Sequence, residues 1–256
     1  MDEDAAGDNP AVESTAQVNG VRLHYVVEGD GPLVVLLHGW PQTWYCWRKV
    51  IGPLAAHLGH DRIALLAGHD RGARVGHRLA LDHPEAVERL AVLDVVPTRE
   101  MFTRPDAGVA RGYWHWLFHL QPDLPELLVG GNVEAYLRWF FERWTANRPA
   151  VEEAVPTYVG AFSAPAALRA GFDDYRATFP DDMEADEASA AAGQRLAMPV
   201  LALWGETGLP SRLPVLDIWR NYADDVRGQP IGACGHFLPE EQPEELTKHL
   251  LAFLGS

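Results

Sequence analysis

Residues 63–74 read IALLAGHDRGAR, and the architecture of the chain follows from this segment. Its apolar run, residues 63–67, is typical of a strand buried on both faces of a parallel sheet. Gly-His-Asp-Arg-Gly (68–72) follows at once, and the pattern then predicts a helix ending at His83. Glycines two positions before and after Asp70 suit a sharp, strained backbone turn. The segment therefore predicts a strand, a tight turn and a helix, with an aspartate at the turn.

The same alternation of strand and helix continues on both sides of this segment. The predicted strands are 21–28, LVVLL (33–37), LAVLDVV (90–96) and VLALW (200–204), and 243–254 is predicted to be an amphipathic helix. This order is typical of a doubly wound, mostly parallel sheet in the α/β class. No strand pattern occurs between 97 and 198, where aromatic residues recur at helical spacing.

The predicted organisation has three parts. We expect an acidic, disordered tail at 1–15, an α/β core formed by 16–98 and 196–256, and a helical cap at 99–195, inserted after the strand that ends in Asp94.

Asp70 stands where a nucleophile stands in the Gly-x-nucleophile-x-Gly elbow of α/β hydrolases. Asp94 follows the next strand, and His236 lies on a glycine-flanked loop before the last helices, which gives the hydrolase order of nucleophile, acid and histidine. Glu206, after the VLALW strand, is the alternative acid. Cys234, two residues before His236, is a less favoured nucleophile, because no strand-to-helix turn presents it. The sequence predicts an α/β-hydrolase fold with Asp70, Asp94 and His236 at its site.

The loop after LVVLL reads His38-Gly39-Trp40-Pro41. His38 and Trp40 are expected at the pocket, where the Trp40 amide pairs with the Arg71 amide as an oxyanion hole. A carboxylate nucleophile is already anionic at neutral pH, so it suits displacement at a saturated carbon, followed by hydrolysis of the resulting ester. Carbon–halogen bonds or epoxides are therefore the expected substrates. No cofactor or metal is expected.

The chain resembles the fluoroacetate (haloacetate) dehalogenases, relatives of the epoxide hydrolases. The resemblance is carried by HGWPQ (38–42), HDRGARVGHR (69–78), LDVVPT (93–98), YWHW (113–116) and DYRA (174–177). It implies that Arg71 and Arg74 clamp the substrate carboxylate and that the halide is bound by three donors, His115, Trp116 and Tyr175. It also implies a homodimer. Two arginines in the first turn of a helix oppose its dipole unless an anion lies there, which independently favours the clamp.

Three functions remain open at this point. The first is hydrolysis of a short 2-haloacid such as fluoroacetate to a 2-hydroxyacid and halide. The second is epoxide hydrolysis, for which the cap offers four tyrosines as proton donors, Tyr113, Tyr136, Tyr158 and Tyr175. The two arginines favour the haloacid, because a neutral epoxide gives them no partner. The third is an inactive, shortened relative.

Charge and length add two expectations. A net charge of −15 over 256 residues argues against nucleic-acid or anionic-membrane partners, and an anionic substrate needs a local cationic pocket. Without a visible secretory signal or membrane span, we predict a cytoplasmic protein. Only 21 residues, 41–61, separate the HGWP turn from the IALLA segment. The resemblance therefore implies that a strand and helix typical of the family are missing between residues 56 and 60, which predicts exposed sheet edges and apolar surface and a less stable, less active protein.

Overall fold

The computed structural model describes residues 11–55, 60–103 and 107–255, and these residues form two β-sheets and a helical cap. A hairpin consists of β1 (Val12–Val18) and β2 (Val21–Val27), which pair in antiparallel fashion. Five strands form the main sheet in the order β3-β4-β5-β6-β7, and every neighbouring pair is parallel. The strands are β3 (Pro32–Leu37), β4 (His60–His69), β5 (Leu90–Leu93), β6 (Val200–Gly205) and β7 (Val226–Ile231).

Helices cover the main sheet as the alternating sequence pattern predicts. The core helices are α1 (Arg48–Ala55), preceded by a 3-10 turn at Trp44–Trp47, and α2 (Arg71–Asp82), α12 (Val215–Arg220), α13 (Leu238–Glu241) and α14 (Pro243–Leu254). Helix α2 packs on β4 and β5, α12 packs on β6 and β7, and α1 packs on α14. Leu65 and Leu66 of β4 and Leu90 and Leu93 of β5 are completely buried, which explains the continuous apolar runs of these strands.

The cap consists of helices between β5 and β6, as predicted. They are α3 (Thr98–Thr103), α4 (Ala107–Gly112), α5 (Trp114–His119), α6 (Leu124–Val129), α7 (Val133–Trp144), α8 (Arg148–Glu152), α9 (Val155–Phe162), α10 (Pro165–Arg176), a π-turn at Thr178–Asp182 and α11 (Met183–Ala191). Most of the aromatic residues noted in the sequence pack inside the cap, and Tyr158, Phe140 and Phe172 are fully buried. No helix in the described ranges is both long and apolar enough to span a membrane.

Strands β1 and β7 were not predicted from the sequence, and β5 ends at Leu93 rather than at the predicted residue 96. Strand β1 begins at Val12, so the predicted disordered tail of 1–15 runs too far, because alternating Val12, Ser14 and Ala16 pair across the hairpin. Residues 1–10 lie outside the described residues. Strand β7 was not predicted, because Gly228 and Pro230 interrupt its pattern, which an edge strand tolerates.

The hairpin and β3 leave apolar surface exposed. In the described residues no strand joins β2 to β3, and β3 is an edge of the main sheet. Val21, Leu23, Tyr25 and Val27 alternate along one face of β2, and each is at least 42% exposed. Leu33 on β3 is 49% exposed. The predicted position of the missing strand and helix falls on residues 56–59, outside the described residues.

Candidate active site

Asp70 lies at the sharp turn between β4 and α2. Its φ of 48° and ψ of −116° put it in a backbone region that L-residues rarely adopt, as the elbow prediction requires. Gly68 and Gly72 permit this turn: a Cβ on Gly68 would lie 2.5 Å from the Ala73 nitrogen, and one on Gly72 would lie 2.5 Å from the Leu37 carbonyl oxygen. The spacing of small residues therefore has a direct steric cause.

Trp40 contributes a backbone donor to the Asp70 carboxylate. Its amide donates to Asp70 Oδ2 at 3.1 Å, so the loop after β3 reaches the elbow as predicted. For the Arg71 amide, the second predicted donor, the structure gives no corresponding bond in the described residues. His38 is exposed at the end of β3, with Nδ1 3.2 Å from the Gly39 carbonyl oxygen. Trp40 is thus in place, and the pocket role of His38 stays a prediction.

His236 and Asp94 form a buried pair behind Asp70. His236 Nδ1 donates to Asp94 Oδ2 at 2.6 Å, and the Gly205 amide donates to Asp94 Oδ1 at 2.9 Å. This leaves His236 Nε2 without a protein partner in the described residues, although it is buried. Glu206, the alternative acid, instead accepts from the Ala233 amide at 3.2 Å. The geometry brings Asp94, and not Glu206, to the histidine.

The charges at this centre favour an ionised Asp70 beside a basic His236. Burial opposes ionisation of Asp70, yet its pKa lies below the ordinary value, because the neighbouring histidines and arginines outweigh burial. Burial likewise lowers the pKa of His236, but the hydrogen bond from its ring to Asp94 and the negative charges nearby raise the pKa overall. Those negative charges are Asp94, Asp70 and Glu241, while the His69 ring faces His236 at 4.6 Å between centroids.

Cys234 does not fit the role of a nucleophile. Burial raises the pKa of its thiol far above the usual range, and the negative charges of Glu241 and Asp94 act in the same direction. The thiol therefore stays protonated at neutral pH.

Arg71 and Arg74 lie in the first turn of α2, buried beneath the cap. Arg74 Nη1 donates to the Val96 carbonyl at 2.9 Å and to Thr98 Oγ1 at 3.1 Å, whereas its buried Nε has no protein partner in the described residues. Arg71 is tied to the cap: Nε donates to Asp174 Oδ2 at 2.5 Å and Nη2 to the Asp174 carbonyl at 2.6 Å. Both cations therefore flank Asp70, but Arg71 already has an anionic partner.

The three predicted halide donors come together. The centroid of the Tyr175 ring lies 5.9 Å from that of His115 and 5.8 Å from that of Trp116. All three side chains are buried. The charge of Asp70 acts on both His115 and Tyr175, so these rings share the space above the elbow. The Trp116 indole N–H, however, donates to Thr178 Oγ1 at 3.1 Å. Among the residues that the structure describes, His115 and Tyr175 are the members of the trio whose donors have no hydrogen-bond partner.

The four cap tyrosines separate into two groups. Tyr136 is bonded to His119 Nε2 at 2.7 Å, and Tyr158 donates to Glu240 Oε1 at 2.5 Å. The hydroxyls of Tyr113 and Tyr175 have no hydrogen-bond partner in the described ranges. Burial, assisted by carboxylates that include Asp70, raises the pKa of each of these two hydroxyls, so both remain protonated donors.

Glu241 is a residue that the sequence reasoning missed. It is 2% exposed, and its carboxylate accepts four backbone amides, two from the loop around His236 and two from the end of the cap helix α7. Oε2 accepts from Gly235 at 2.9 Å, Ala146 at 2.7 Å and Asn147 at 2.9 Å, and Oε1 accepts from Phe237 at 3.0 Å. The available signal was an acidic residue in the first turn of the helix directly after His236.

Comparisons with known proteins agree with this geometry. A profile of the alpha/beta hydrolase fold family, Abhydrolase_1, matches residues 54–243. A soluble epoxide hydrolase from Corynebacterium sp. (strain C12) is 34% identical, with 93% of this chain and 95% of that protein covered. A fluoroacetate dehalogenase from Burkholderia sp. is 32% identical, with 93% and 91% covered.

Solved structures give the same result for the fold. An α/β hydrolase from Nostoc sp. PCC 7120 superposes with a TM-score of 0.90 at 38% identity, covering 95% of this chain and 98% of that one. The epoxide hydrolase CorEH gives 0.88 at 30% identity, covering 96% and 99%. The alignments to the two sequence relatives run over 282 and 283 positions, more than the 256 residues present here, so both relatives carry residues that this chain lacks.

Proposed function

Because the chain belongs to the α/β-hydrolase family, we propose that it hydrolyses the carbon–halogen bond of short 2-haloacids through an ester of Asp70. The observation that carries this proposal is the pair of buried arginines beside an ionised Asp70. A substrate carboxylate supplies the partner that the buried, unpaired Nε of Arg74 lacks. A neutral substrate leaves this cation uncompensated.

In the first step one oxygen of Asp70 attacks the substrate carbon, and the halide leaves with the electron pair of the broken bond. Oδ2 is held by the Trp40 amide, so Oδ1 is the oxygen that attacks and Oδ2 becomes the ester carbonyl. His115 and Tyr175 donate hydrogen bonds to the departing halide, and Trp116 joins them when it releases Thr178.

In the second step His236 Nε2 takes a proton from water, and the hydroxide formed adds to the ester carbonyl of Asp70. Collapse of this intermediate breaks the bond between the side-chain carbonyl carbon of Asp70 and Oδ1, and Oδ1 leaves as the hydroxyl oxygen of the 2-hydroxyacid after receiving a proton, while the water oxygen stays in the Asp70 carboxylate. The negative charge of Asp70 helps to raise the pKa of His236, so ester formation removes that charge and lowers this pKa. The histidine thus becomes free to accept a proton when the water attacks.

The second candidate function is epoxide hydrolysis. A specific observation favours it: the hydroxyls of Tyr113 and Tyr175 lie near Asp70 and are protonated, as donors to an epoxide oxygen must be. The soluble epoxide hydrolase relative is as similar to the chain as the dehalogenase relative. In this candidate Asp70 and His236 keep their roles, and the two tyrosines replace the halide cradle.

The test is incubation of the purified protein with fluoroacetate, chloroacetate and styrene oxide, with halide and diol release measured. Halide release that is lost in Asp70→Asn supports the haloacid proposal, and diol release alone supports the epoxide. A folded protein that turns over neither is an inactive relative. A single turnover in H₂¹⁸O adds a direct check, because the label enters the Asp70 carboxylate if the ester forms.

A further inference from the structure

A cavity lies beside the candidate active site. It has a volume of about 220 Å³, far above the roughly 10–15 Å³ that one water molecule needs on the same measure. Helices α3 and α4 of the cap form one side, and the 3-10 turn at Leu209–Arg212 and helix α12 form the other. The side chains that make its walls are mainly apolar: Met101, Val109, Tyr113, Leu209, Leu213 and Ile218.

One residue that lines this cavity, Tyr113, also faces the catalytic centre, and a second, Leu209, directly follows a residue that packs on Asp94. Tyr113 lines the cavity, and its ring centroid lies 6.1 Å from that of His115. The negative charges of Asp94 and Asp70 help to raise the pKa of its hydroxyl. Leu209 follows Gly208, which packs so closely on the acid that a Cβ there would lie 2.5 Å from Asp94 Oδ1. One layer of residues therefore separates the cavity from the reacting groups.

Arg212 supplies the cavity with a cation. It is exposed, it lines the cavity, and it makes no ion pair within the part of the chain that the structure describes. The other charged residue in the lining, Glu100, is buried and accepts a hydrogen bond from the Tyr222 hydroxyl at 3.0 Å. A protein with a net charge of −15 repels small anions over most of its surface, so an accessible arginine at an apolar chamber selects for them.

We propose that this cavity is the entry chamber for a small carboxylate-bearing substrate, with Arg212 capturing the carboxylate and Tyr113 acting as the gate to the catalytic centre. The inference rests on the proposed haloacid function. The apolar walls accommodate the carbon portion of the acid while Arg212 holds its charge. The Tyr113 hydroxyl has no hydrogen-bond partner among the described residues, so its side chain moves without breaking a bond. Beyond the gate, Arg74 offers the next cation.

The test measures how fast chloroacetate enters and leaves Asp70→Asn, which binds the acid without chemistry, by stopped-flow tryptophan fluorescence. Leu209→Trp fills the chamber, and it is expected to lower the association and dissociation rate constants by the same factor, about tenfold, with Kd unchanged. A substitution that narrows a passage must lower the association and dissociation rate constants equally, whereas a substitution in a binding site changes Kd. Gly112→Ala, whose Cβ would lie 3.0 Å from Leu209 Cδ2, gives a milder second variant should the first fail to fold.

Arg212→Gln tests the capture step in the same background. The association rate constant is expected to fall about three- to tenfold at low ionic strength and to lose most of its dependence on salt. Arg220→Gln is the matched control, because Arg220 is exposed on α12 but paired with Asp217 at 2.9 Å. Equal rates in all variants would overturn the entry chamber. If the wild-type protein releases halide in that case, the proposed function stands; if it releases none and Asp70→Asn binds no haloacid, the proposed function has failed.

Discussion

Replacing Glu241 by glutamine perturbs both effects of this carboxylate, which holds the His236 loop and also places a charge near the ring. The glutamine oxygen fits the three amides at Oε2, so its NH₂ group faces the Phe237 amide, where two donors then oppose each other. A buried donor without a partner costs about 1–3 kcal/mol, and loss of charge weakens the three remaining bonds. We expect the free energy of unfolding to fall by about 2–4 kcal/mol.

The second effect is on the pH dependence of turnover. His236 must be neutral to take a proton from water, so kcat rises with pH through the pKa of this ring in the ester intermediate. The charge of Glu241 helps to raise that pKa, so Glu241→Gln is expected to move the acid limb of kcat to lower pH. Glu241→Asp keeps the charge but shortens the side chain. It is expected to lose stability while the acid limb stays near its wild-type position.

Urea unfolding and a pH profile of halide release measure both effects. The matched control is Glu245→Gln, since Glu245 is 41% exposed on α14 and pairs with Lys248 at 3.3 Å. An exposed pair of this kind contributes about 0–1 kcal/mol, so this variant is expected to resemble wild type in both measurements. If Glu241→Gln matches the control in stability and in the acid limb, the positioning role assigned to Glu241 is wrong.

Three further predictions follow from single contacts. Gly208→Ala places a Cβ 2.5 Å from Asp94 Oδ1, so we expect kcat to fall about 10-fold or more in steady-state assays, with KM little changed. An unchanged kcat would contradict the assigned orientation of Asp94. Asp174→Asn removes the main anionic partner of Arg71 and is expected to change KM for haloacids without changing KM for styrene oxide. A parallel change in both KM values would exclude a specific role of Arg71 in binding the haloacid carboxylate. Leu23→Thr on the exposed face of the hairpin is expected to change the free energy of unfolding by less than about 0.5 kcal/mol in urea titrations. A loss above about 2 kcal/mol would show that this face is covered.

The sequence predicted those parts of the site that local pattern determines. The glycine spacing around Asp70 identifies the elbow, because steric contacts within a few residues require it. Asp94 was predicted to be the acid because it follows a buried strand, and parallel strands bring their carboxyl ends to one edge of the sheet. His236 was recognised by its loop and by its order in the chain. These inferences need only short-range geometry and topology.

The remaining contacts join residues that are far apart in the chain. Asp174 is 103 positions from Arg71, and Glu241 is 95 positions from Ala146, so no spacing rule relates them. Whether an arginine meets a substrate or a cap carboxylate depends on how the cap helices pack on the core. For the same reason, four cap tyrosines looked equivalent in the sequence, although Tyr136 and Tyr158 already have partners.

The separation of the hairpin from the main sheet has a consequence for how this fold tolerates change. The reacting groups stand at the ends of β3, β4 and β5 and on the loop after β7, while β1 and β2 provide none of them. The hairpin therefore contributes no group to the proposed chemistry. Changes in the hairpin are therefore expected to act on folding and solubility rather than on the reaction.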